Sequence, residues 1–439
     1  MSGDQRHQRF YRRLFPVPEN PMTKLSRRFI AAGVFAILLL LTQSGMGQTH
    51  STLVLTGGTI YRSPAEQPIT DGVVLIRNGK IAAVGRRHSV HIPKGTPSLD
   101  CSGLSVTAGF WNSHVHFGKL QWANAATIPA AELAGLLREM LTRYGFTSVF
   151  DLGSPWKNTQ SIRNRIESGE VPGPRIRSTG QMILGFEVPE KILKTAGVMD
   201  STPEPPVTDS AKAHTASQSR LDAGADGLKF YAASPFAPAT LPSDVIRIIV
   251  DEAHRRHKLV FVHPHNREGL MASVESGVDV LAHTTPISGP WDEAVITAMK
   301  RKGVALIPTL KVWTALLRDR AALRDQWTQT NIGQLRAWLA VKGVVLFGTD
   351  VDAGMDDYDP KDEYALMAQA GMTYQQILAA LTTAPAKKFG DSARLGRIAP
   401  GLVADLVIFD GNPSQDVSAF AAVRYTIRDG RVIYETARR

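Results

Sequence analysis

Cysteine is almost absent from this chain, since Cys101 is the only one among 439 residues. A single thiol excludes an intramolecular disulfide, so the hydrophobic core and any bound metal have to hold the fold. A hydrophobic content of 43% is ample for such a core at this length. The length predicts one large domain with an accessory domain.

A basic stretch interleaved with aromatic residues is also missing, which argues against nucleic-acid binding. The formal net charge is +10, but residues 1–28 hold seven Lys or Arg against two acids, a net charge of +5. Half of the excess therefore precedes the predicted folded part. We expect a small-molecule substrate and no nucleic-acid partner.

No apolar segment near the start reaches the length of about 20 residues that a membrane span needs. Phe29–Thr42 is an apolar run of 14 residues behind a basic start, and small residues follow at Gly45 and Gly47. This order is typical of a signal peptide, so residues 1–47 are predicted to be a basic N-region and a signal peptide. An uncleaved anchor is the alternative.

The segment Ser26–Ile30 resembles the start of a twin-arginine signal. The prediction is an exported protein, periplasmic or extracellular, without membrane attachment after cleavage.

Short strand patterns occur at both ends of the remaining chain, separated by Gly, Asp and Asn turn signals. Neither set alone buries both faces of a sheet, so we expect one small β-sandwich assembled from residues 48–103 and 391–439. The predicted strands are Leu53–Ile60, Gly72–Arg77, Lys80–Val84, Ala404–Phe409, Arg424–Arg428 and Arg431–Tyr434.

Between the ends, residues 104–390 alternate apolar strand runs with helical stretches. Eight runs over this length predict an α/β fold, a (β/α)₈ TIM-type barrel. A proline-rich stretch, Glu187–Ala216, is predicted to be a long loop over the site. The eight strand candidates are Leu104–Phe110, Thr147–Asp151, Arg175–Thr179, Gly227–Tyr231, Leu259–Val262, Val280–Ala282, Val304–Pro308 and Val344–Thr349.

Potential metal ligands stand at the ends of these runs, where a barrel of this kind carries its catalytic groups. His114 and His116 are two apart, so both side chains leave the same face of a strand. His263 and His283 are 20 residues apart, about one helix-plus-strand unit. Each residue alone has an ordinary structural explanation, but such a series in register with strand ends does not.

Lys229 and Asp350 end two further runs, in GADGLKFY and VVLFGTD. A lone lysine at such a place usually reaches for solvent. An acid there needs a partner, because a buried unpaired charge is costly.

The order HxH, Lys, His, His, Asp resembles the amidohydrolase superfamily, in its imidazolonepropionase-like and prolidase-like branch. The matching segments are GFWNSHVHF, GFTSVFDLG, GADGLKFY, the stretch from VHPHNREGL to SGVDVLAHTT, LFGTD and GRIAPGLVADLVIFDGNP. The resemblance runs from about residue 52 to 435, nearly the whole chain after the predicted signal.

This resemblance implies a binuclear centre of two divalent ions, most simply Zn²⁺. His114, His116 and Asp350 would hold one ion, and His263 and His283 the other. Lys229 would bridge them as a carbamate formed with CO₂. The implied enzyme is a metal-dependent amidohydrolase that cleaves an amide, dipeptide-like or cyclic amide C–N bond through a metal-bridging hydroxide, with Asp350 handling the proton.

Two more residues share a face with predicted ligands. His265 lies two positions after His263, and Tyr231 two after Lys229. Both are predicted to polarise the carbonyl or orient the substrate, with support of the ligands as the alternative.

Several alternatives remain open from the sequence. The same nucleophile could attack an ester, lactone or phosphotriester, and a metal-stabilised scaffold protein would show the same ligands. An unmodified Lys229 would leave a mononuclear site. The acidic stretch Asp352–Asp359 is predicted to be a solvated loop rather than a contact for a cationic substrate, and a homo-oligomer is an expectation for a barrel.

Overall fold

The computed structural model describes residues 52–188, 205–234, 240–352, 355 and 357–436. The described residues belong to one compact unit, within His50–Arg439. The predicted signal peptide therefore lies outside the described residues. Among those described, no helix is long and apolar enough to cross a membrane.

Strands and helices alternate through most of the described chain. The strands are β1 (Thr52–Ile60), β2 (Ile69–Arg77), β3 (Lys80–Arg86), β4 (Ser98–Asp100), β5 (Leu104–Ala108), β6 (Phe110–Val115), β7 (Phe146–Asp151), β8 (Arg175–Ser178), β9 (Gly227–Tyr231), β10 (Leu259–His263), β11 (Val280–Ala282), β12 (Ala305–Ile307), β13 (Val344–Val345), β14 (Leu406–Asp410), β15 (Val423–Arg428) and β16 (Arg431–Glu435).

The described α-helices are α1 (Ala130–Met140), α2 (Trp156–Glu167), α3 (Ser210–Asp222), α4 (Ser243–Arg255), α5 (Arg267–Ser276), α6 (Glu293–Lys302), α7 (Leu310–Leu316), α8 (Ala321–Ala340), α9 (Lys361–Gln369), α10 (Tyr374–Leu381) and α11 (Thr383–Lys388).

Helix α4 illustrates why these segments are helical. Val245, Ile249 and Ala253 recur every four residues and are buried, so they form one apolar stripe against the core. Side-chain caps begin several other helices: Asn266 accepts a hydrogen bond from Gly269 N, and Asp292 accepts one from Val295 N.

Strands from both chain ends share one sheet, with the order β16-β15-β14-β5-β1-β2-β3 and β4 added beside β1. Its strands contribute Leu55, Ile60, Val74, Val106 and Ile408 to one buried apolar cluster. The two ends of the chain therefore fold together. A separate two-layer sandwich and the predicted domain boundaries stay predictions.

The predicted barrel strand Leu104–Phe110 is wrong, because the structure divides this apolar run at Gly109. β5 lies between β1 and β14, whereas β6 pairs with β7. Glycine is required at the division, since a Cβ on Gly109 would lie 2.2 Å from Thr147 Oγ1. Both strands are buried on both faces, so the run carries no sign of the change of sheet.

The remaining strands form two parallel sheets, β6-β7-β8 and β9-β10-β11-β12-β13, and each of these strands is followed by at least one helix. Isolated parallel bridges join Ile183 to Phe230 of β9 and Val115 of β6 to Val351. The predicted α/β class is confirmed. The carboxyl ends of parallel strands meet on one side of a sheet, and this is where the predicted ligands stand.

Two sequence predictions differ in detail from the structure. The run Val344–Thr349 is a strand only in β13, because Phe347 N donates to Ala380 O while Thr349 N and Asp350 N donate to His114 O. The predicted loop Glu187–Ala216 is wrong at its end, since α3 begins at Ser210. Residues 189–204 lie outside the described residues.

Candidate metal centre

Asp350 lies against three of the predicted histidine ligands. Its Oδ1 is 2.9 Å from His116 Nε2 and 3.0 Å from His114 Nε2, and its Oδ2 is 3.9 Å from His283 Nε2. Ligand atoms of His114, His283 and Asp350 all lie within 4.8 Å of one another, and all three residues are buried. Groups from three distant parts of the chain thus converge on a space that an ion could occupy.

The backbone around Gly348 brings Asp350 to this place. A Cβ on Gly348 would lie 2.9 Å from His114 Cβ and 2.4 Å from Ile307 Cγ2, so only glycine allows the close approach. Asp350 N then donates to His114 O at 2.8 Å. The left-handed φ of Asp350, 57°, turns its side chain at the end of this segment.

His263 and Lys229 lie beside the first group. The ring of His283 is 4.6 Å from that of His263 and 4.8 Å from that of His114, measured between centroids. Lys229 is 1% exposed, and its Nζ is 5.9 Å from the centroid of the Tyr231 ring. All six predicted ligands are therefore found at this end of the parallel strands.

Hydrogen bonds fix the tautomers of two imidazoles. His116 Nδ1 donates to Gly153 O at 2.8 Å. His283 Nδ1 donates to Thr309 Oγ1 at 2.6 Å, and that hydroxyl donates in turn to Pro308 O at 2.9 Å. Each imidazole thus turns its Nε2 toward Asp350. A hydrogen bond at Nδ1 that orients Nε2 is typical of metal-binding histidines.

Two imidazole nitrogens are buried without a hydrogen-bond partner among the described residues, His114 Nδ1 and His263 Nδ1. Buried polar atoms are rarely left in this state, so each calls for an explanation. Imidazole nitrogens beside a carboxylate are a donor set that divalent zinc prefers. The residues present therefore fit a metal centre.

Burial controls the charges at the site. Desolvation lowers the pKa of Lys229 to about 7, against the opposing attraction of Asp350. It also lowers the pKa of His114 to about 3, and those of His263 and His283 well below the ordinary value.

Asp350 keeps its charge although burial opposes it. Desolvation raises the pKa of Asp350, but electrostatic attraction to His114 and hydrogen bonds from His114 and His116 outweigh it and hold this pKa well below its usual range. For His116, the hydrogen bond to Asp350 and its charge likewise overcome burial and raise the pKa. The site thus presents three imidazoles that burial keeps neutral, those of His114, His263 and His283, around one carboxylate.

Tyr231 and His265 flank His263. The ring of Tyr231 stacks on His263 with centroids 4.1 Å apart and planes 9° apart, and the ring of His265 lies 5.9 Å from it. His265 has a left-handed φ of 56°. The structure places both residues beside a predicted ligand, and their catalytic roles stay predictions.

Three residues that support the ligands could not be recognised from the sequence. Thr309 holds His283, although the strand before it carried no predicted ligand. Asp151 lies 4.0 Å from His116 Nδ1 and is fixed by Ser154 Oγ at 2.6 Å and Ser178 Oγ at 2.7 Å. Its segment had only contributed to the family resemblance.

The third residue is Asp352, and the predicted solvated loop is wrong at this position. Asp352 is 2% exposed and accepts hydrogen bonds from Gly118 N at 3.0 Å, Lys119 N at 3.2 Å, Gln121 Nε2 at 3.1 Å and Trp122 Nε1 at 2.9 Å. It connects the loop after His116 to the segment after Asp350. Nothing in the sequence marks this long-range contact.

Known proteins resemble this chain over most of its length. The model of the amidohydrolase family matches residues 105–433. An ochratoxinase from Aspergillus niger is 26% identical over 411 residues, which is 83% of this chain and 83% of that protein.

Solved structures of hydrolases are similar to this chain over most of its length. A Xaa-Pro dipeptidase with bound methionine in its active site has a TM-score of 0.74 at 22% identity, covering 88% of this chain and 100% of the other. A prolidase complexed with N-methylphosphonate-L-proline has a TM-score of 0.72 at 25% identity, with the same coverage. The predicted resemblance is confirmed: the chain belongs to the amidohydrolase family and is a hydrolytic enzyme acting on carbon–nitrogen bonds.

Proposed function

We propose that this enzyme hydrolyses the C–N bond of an amide, a dipeptide-like molecule or a cyclic amide with the help of two divalent metal ions. The observation that carries the proposal is the convergence of Asp350 with His114, His116 and His283 at the ends of parallel strands. The names of the relatives, prolidase and ochratoxinase, support an amide-like substrate.

His114, His116 and Asp350 would hold one ion, and His263 and His283 the other. Lys229 would hold both as a carbamate: its buried amine, with a pKa lowered to about 7, is largely neutral above that pH, and a neutral amine is the form that adds CO₂. Divalent ions, when bound, lower the pKa of water and polarise the scissile carbonyl.

The protein's own groups would then move the proton and position the substrate. Asp350 is ionised, so it can accept a proton from the attacking water and later pass it to the leaving nitrogen. Tyr231 and His265 stand beside His263, where they would orient the carbonyl. Burial raises the pKa of Tyr231, so its hydroxyl stays protonated and can donate a hydrogen bond.

The proposal also includes the fold of the parallel sheets and the location of the enzyme. We infer that the two parallel sheets form the (β/α)₈ barrel, because isolated bridges link both their edges, and that the chain-end sheet is the small sandwich. We also propose an exported enzyme, periplasmic or extracellular, that acts on a small molecule as a homo-oligomer.

Metal analysis and native mass measurement, with a substrate panel, test this proposal. We expect two ions per chain, a mass increase of one CO₂, and faster turnover of dipeptides or N-acyl amino acids than of lactones or phosphotriesters. One ion without added CO₂ would overturn the bridging lysine. Strict preference for P–O bonds, or bound metal without any turnover, would overturn amide hydrolysis.

A further inference from the structure

A cavity of about 220 Å³ lies beside the candidate metal centre. Tyr231 belongs to both, because it lines the cavity and its ring stacks on His263 at 4.1 Å. Phe186, Thr240 and Leu241 form other parts of the wall. A substrate side chain bound in this cavity would therefore place the rest of the substrate close to the metal ligands.

Backbone hydrogen bonds fasten the walls to the end of β9. Tyr231 N donates to Ile183 O at 3.2 Å, and Leu241 N donates to Ala232 O at 2.7 Å. Ala233 pairs with Thr240 across an antiparallel bridge. The dimensions of the cavity are thus set by the backbone, as expected for a preformed binding site.

Glycine is needed in one wall. A Cβ on Gly185 would lie 2.3 Å from Leu241 Cδ2, so a larger residue there would displace the Leu241 side chain. Small residues continue at Ala232 and Ala233 on the side of β9. The cavity owes its space to these small side chains.

The chemistry of the cavity favours an uncharged guest. Its lining contains no Lys, Arg, His, Asp or Glu among the described residues, so a charged guest would lose hydration without gaining a partner. Phe186 and Tyr231 meet edge to face, with centroids 5.9 Å apart. Apart from the hydroxyl groups of Tyr231, Thr208, Ser234 and Thr240, the lining side chains are apolar. Since an apolar cavity of about 150 Å³ can hold benzene, this one has room for a phenyl or branched aliphatic group.

We propose that this cavity, the side-chain pocket, binds an apolar side chain of the substrate, phenyl or branched aliphatic, attached next to the scissile bond. The inference rests on the proposed amide hydrolysis. The side-chain pocket would then determine which amides the enzyme accepts, while the metal centre performs the hydrolysis.

Matched dipeptides test the pocket on the metal-loaded full chain. Each dipeptide contains one Gly and one variable residue, which is Phe, Leu, Ala, Asp or Lys. Each pair is tested with the variable residue at the N-terminal position and at the C-terminal position. We expect kcat/KM for Phe and Leu to exceed that for Asp and Lys by at least about 100-fold. Equal rates for charged and apolar side chains would overturn the proposal.

Two variants change the pocket in opposite directions. Thr240→Phe fills it and should lower kcat/KM for the Phe substrate about 10-fold or more, with less than about 3-fold effect on the Ala substrate. Leu241→Ala enlarges it and should shift preference toward naphthylalanine. Met271→Ala, on α5 outside the pocket, is the control and should keep the preference of the unaltered enzyme. Equal losses for all substrates in Thr240→Phe would contradict the proposal.

A binding measurement separates this inference from the proposed reaction. Calorimetry with free L-phenylalanine and L-aspartate should show binding of phenylalanine only, and Thr240→Phe should abolish it while metal content stays unchanged. Phenylalanine binding without hydrolysis of any dipeptide would reject the proposed function and keep the pocket. Hydrolysis without phenylalanine binding, together with indifference to Thr240→Phe, would reject the pocket and keep the function.

Discussion

His283 Nδ1 donates to Thr309 Oγ1 at 2.6 Å, and this bond joins a predicted metal ligand to a residue with a left-handed φ of 44°. Strained backbone at a site persists only where the surroundings hold it in place. The hydroxyl of Thr309 selects the tautomer of His283 that leaves Nε2 free for a metal.

Thr309→Val removes that hydroxyl while keeping the shape of the side chain. Since loss of such an outer hydrogen bond typically costs about 10–100-fold in metal affinity, we expect a loss of that size. Zinc retained after dialysis against a graded chelator measures it. Thr309→Ser is the matched control and should bind like the unaltered protein, and equal affinity for Val and Ser variants would contradict the role.

Lys229→Ala should remove the proposed bridging carbamate. We expect activity to fall by more than the roughly 10–100-fold typical of supporting residues, because a ligand itself is lost. Addition of formate or acetate should restore part of kcat, since a small carboxylate can take the vacated place. Lys157→Ala, an exposed lysine on α2, serves as the control; absence of rescue would count against a carbamate.

Asp352→Ala leaves Gly118 N, Lys119 N and Trp122 Nε1 without their acceptor. An unsatisfied buried donor costs about 1–3 kcal/mol, so we expect the free energy of unfolding to fall by on the order of 3 kcal/mol. Thermal melts of the metal-loaded protein measure the change. Asp362→Ala, at an exposed position of α9, should melt near the unaltered protein, and similar melts for both variants would refute the contact.

Glu363 makes stability depend on pH. Its buried carboxylate accepts from Leu310 N at 2.9 Å and Lys311 N at 2.7 Å, and burial nevertheless raises its pKa to about 7. The folded pKa exceeds the unfolded value, so ionisation opposes folding. Stability should therefore fall as pH rises from about 4.5 to 7, by on the order of 3 kcal/mol.

Glu363→Gln removes this titration. The difference in Tm between the variant and the unaltered protein should shift in favour of the variant between pH 5 and pH 8. Comparison of the two proteins at each pH cancels the titration of other groups that they share. A difference that does not change with pH would show that Glu363 titrates as an ordinary carboxyl.

Strand positions could be predicted from the sequence wherever an apolar run had clear ends. Gly227–Tyr231 and Val280–Ala282 have the predicted bounds, because turn residues flank them. Leu104–Phe110 failed because its division at Gly109 depends on pairing with β14, far along the chain. Local patterns contain no information about such a partner.

The candidate ligands could be predicted because each lies in or shortly after a strand run and matches a family motif. Thr309 and Asp352 could not, since their partners, His283 and the Gly118–Trp122 loop, are neighbours only in space. The lining of the side-chain pocket likewise comes from four separate segments of the chain. Sequence spacing thus identifies candidate ligands that recur at the ends of strands. The residues that hold these ligands in place are set by tertiary contacts, which the spacing does not reveal.

β5 lies between β1 and β14. During translation, β1 is synthesised before β5, whereas β14 is synthesised only near the end of the chain. Until then, one edge of β5 has open N–H and C=O groups, a template for unwanted association. A truncation that removes Leu406–Asp410 would take away the hydrogen-bonding partner of β5. The loss of order would then extend through Gly109 to β6, the strand that contains His114.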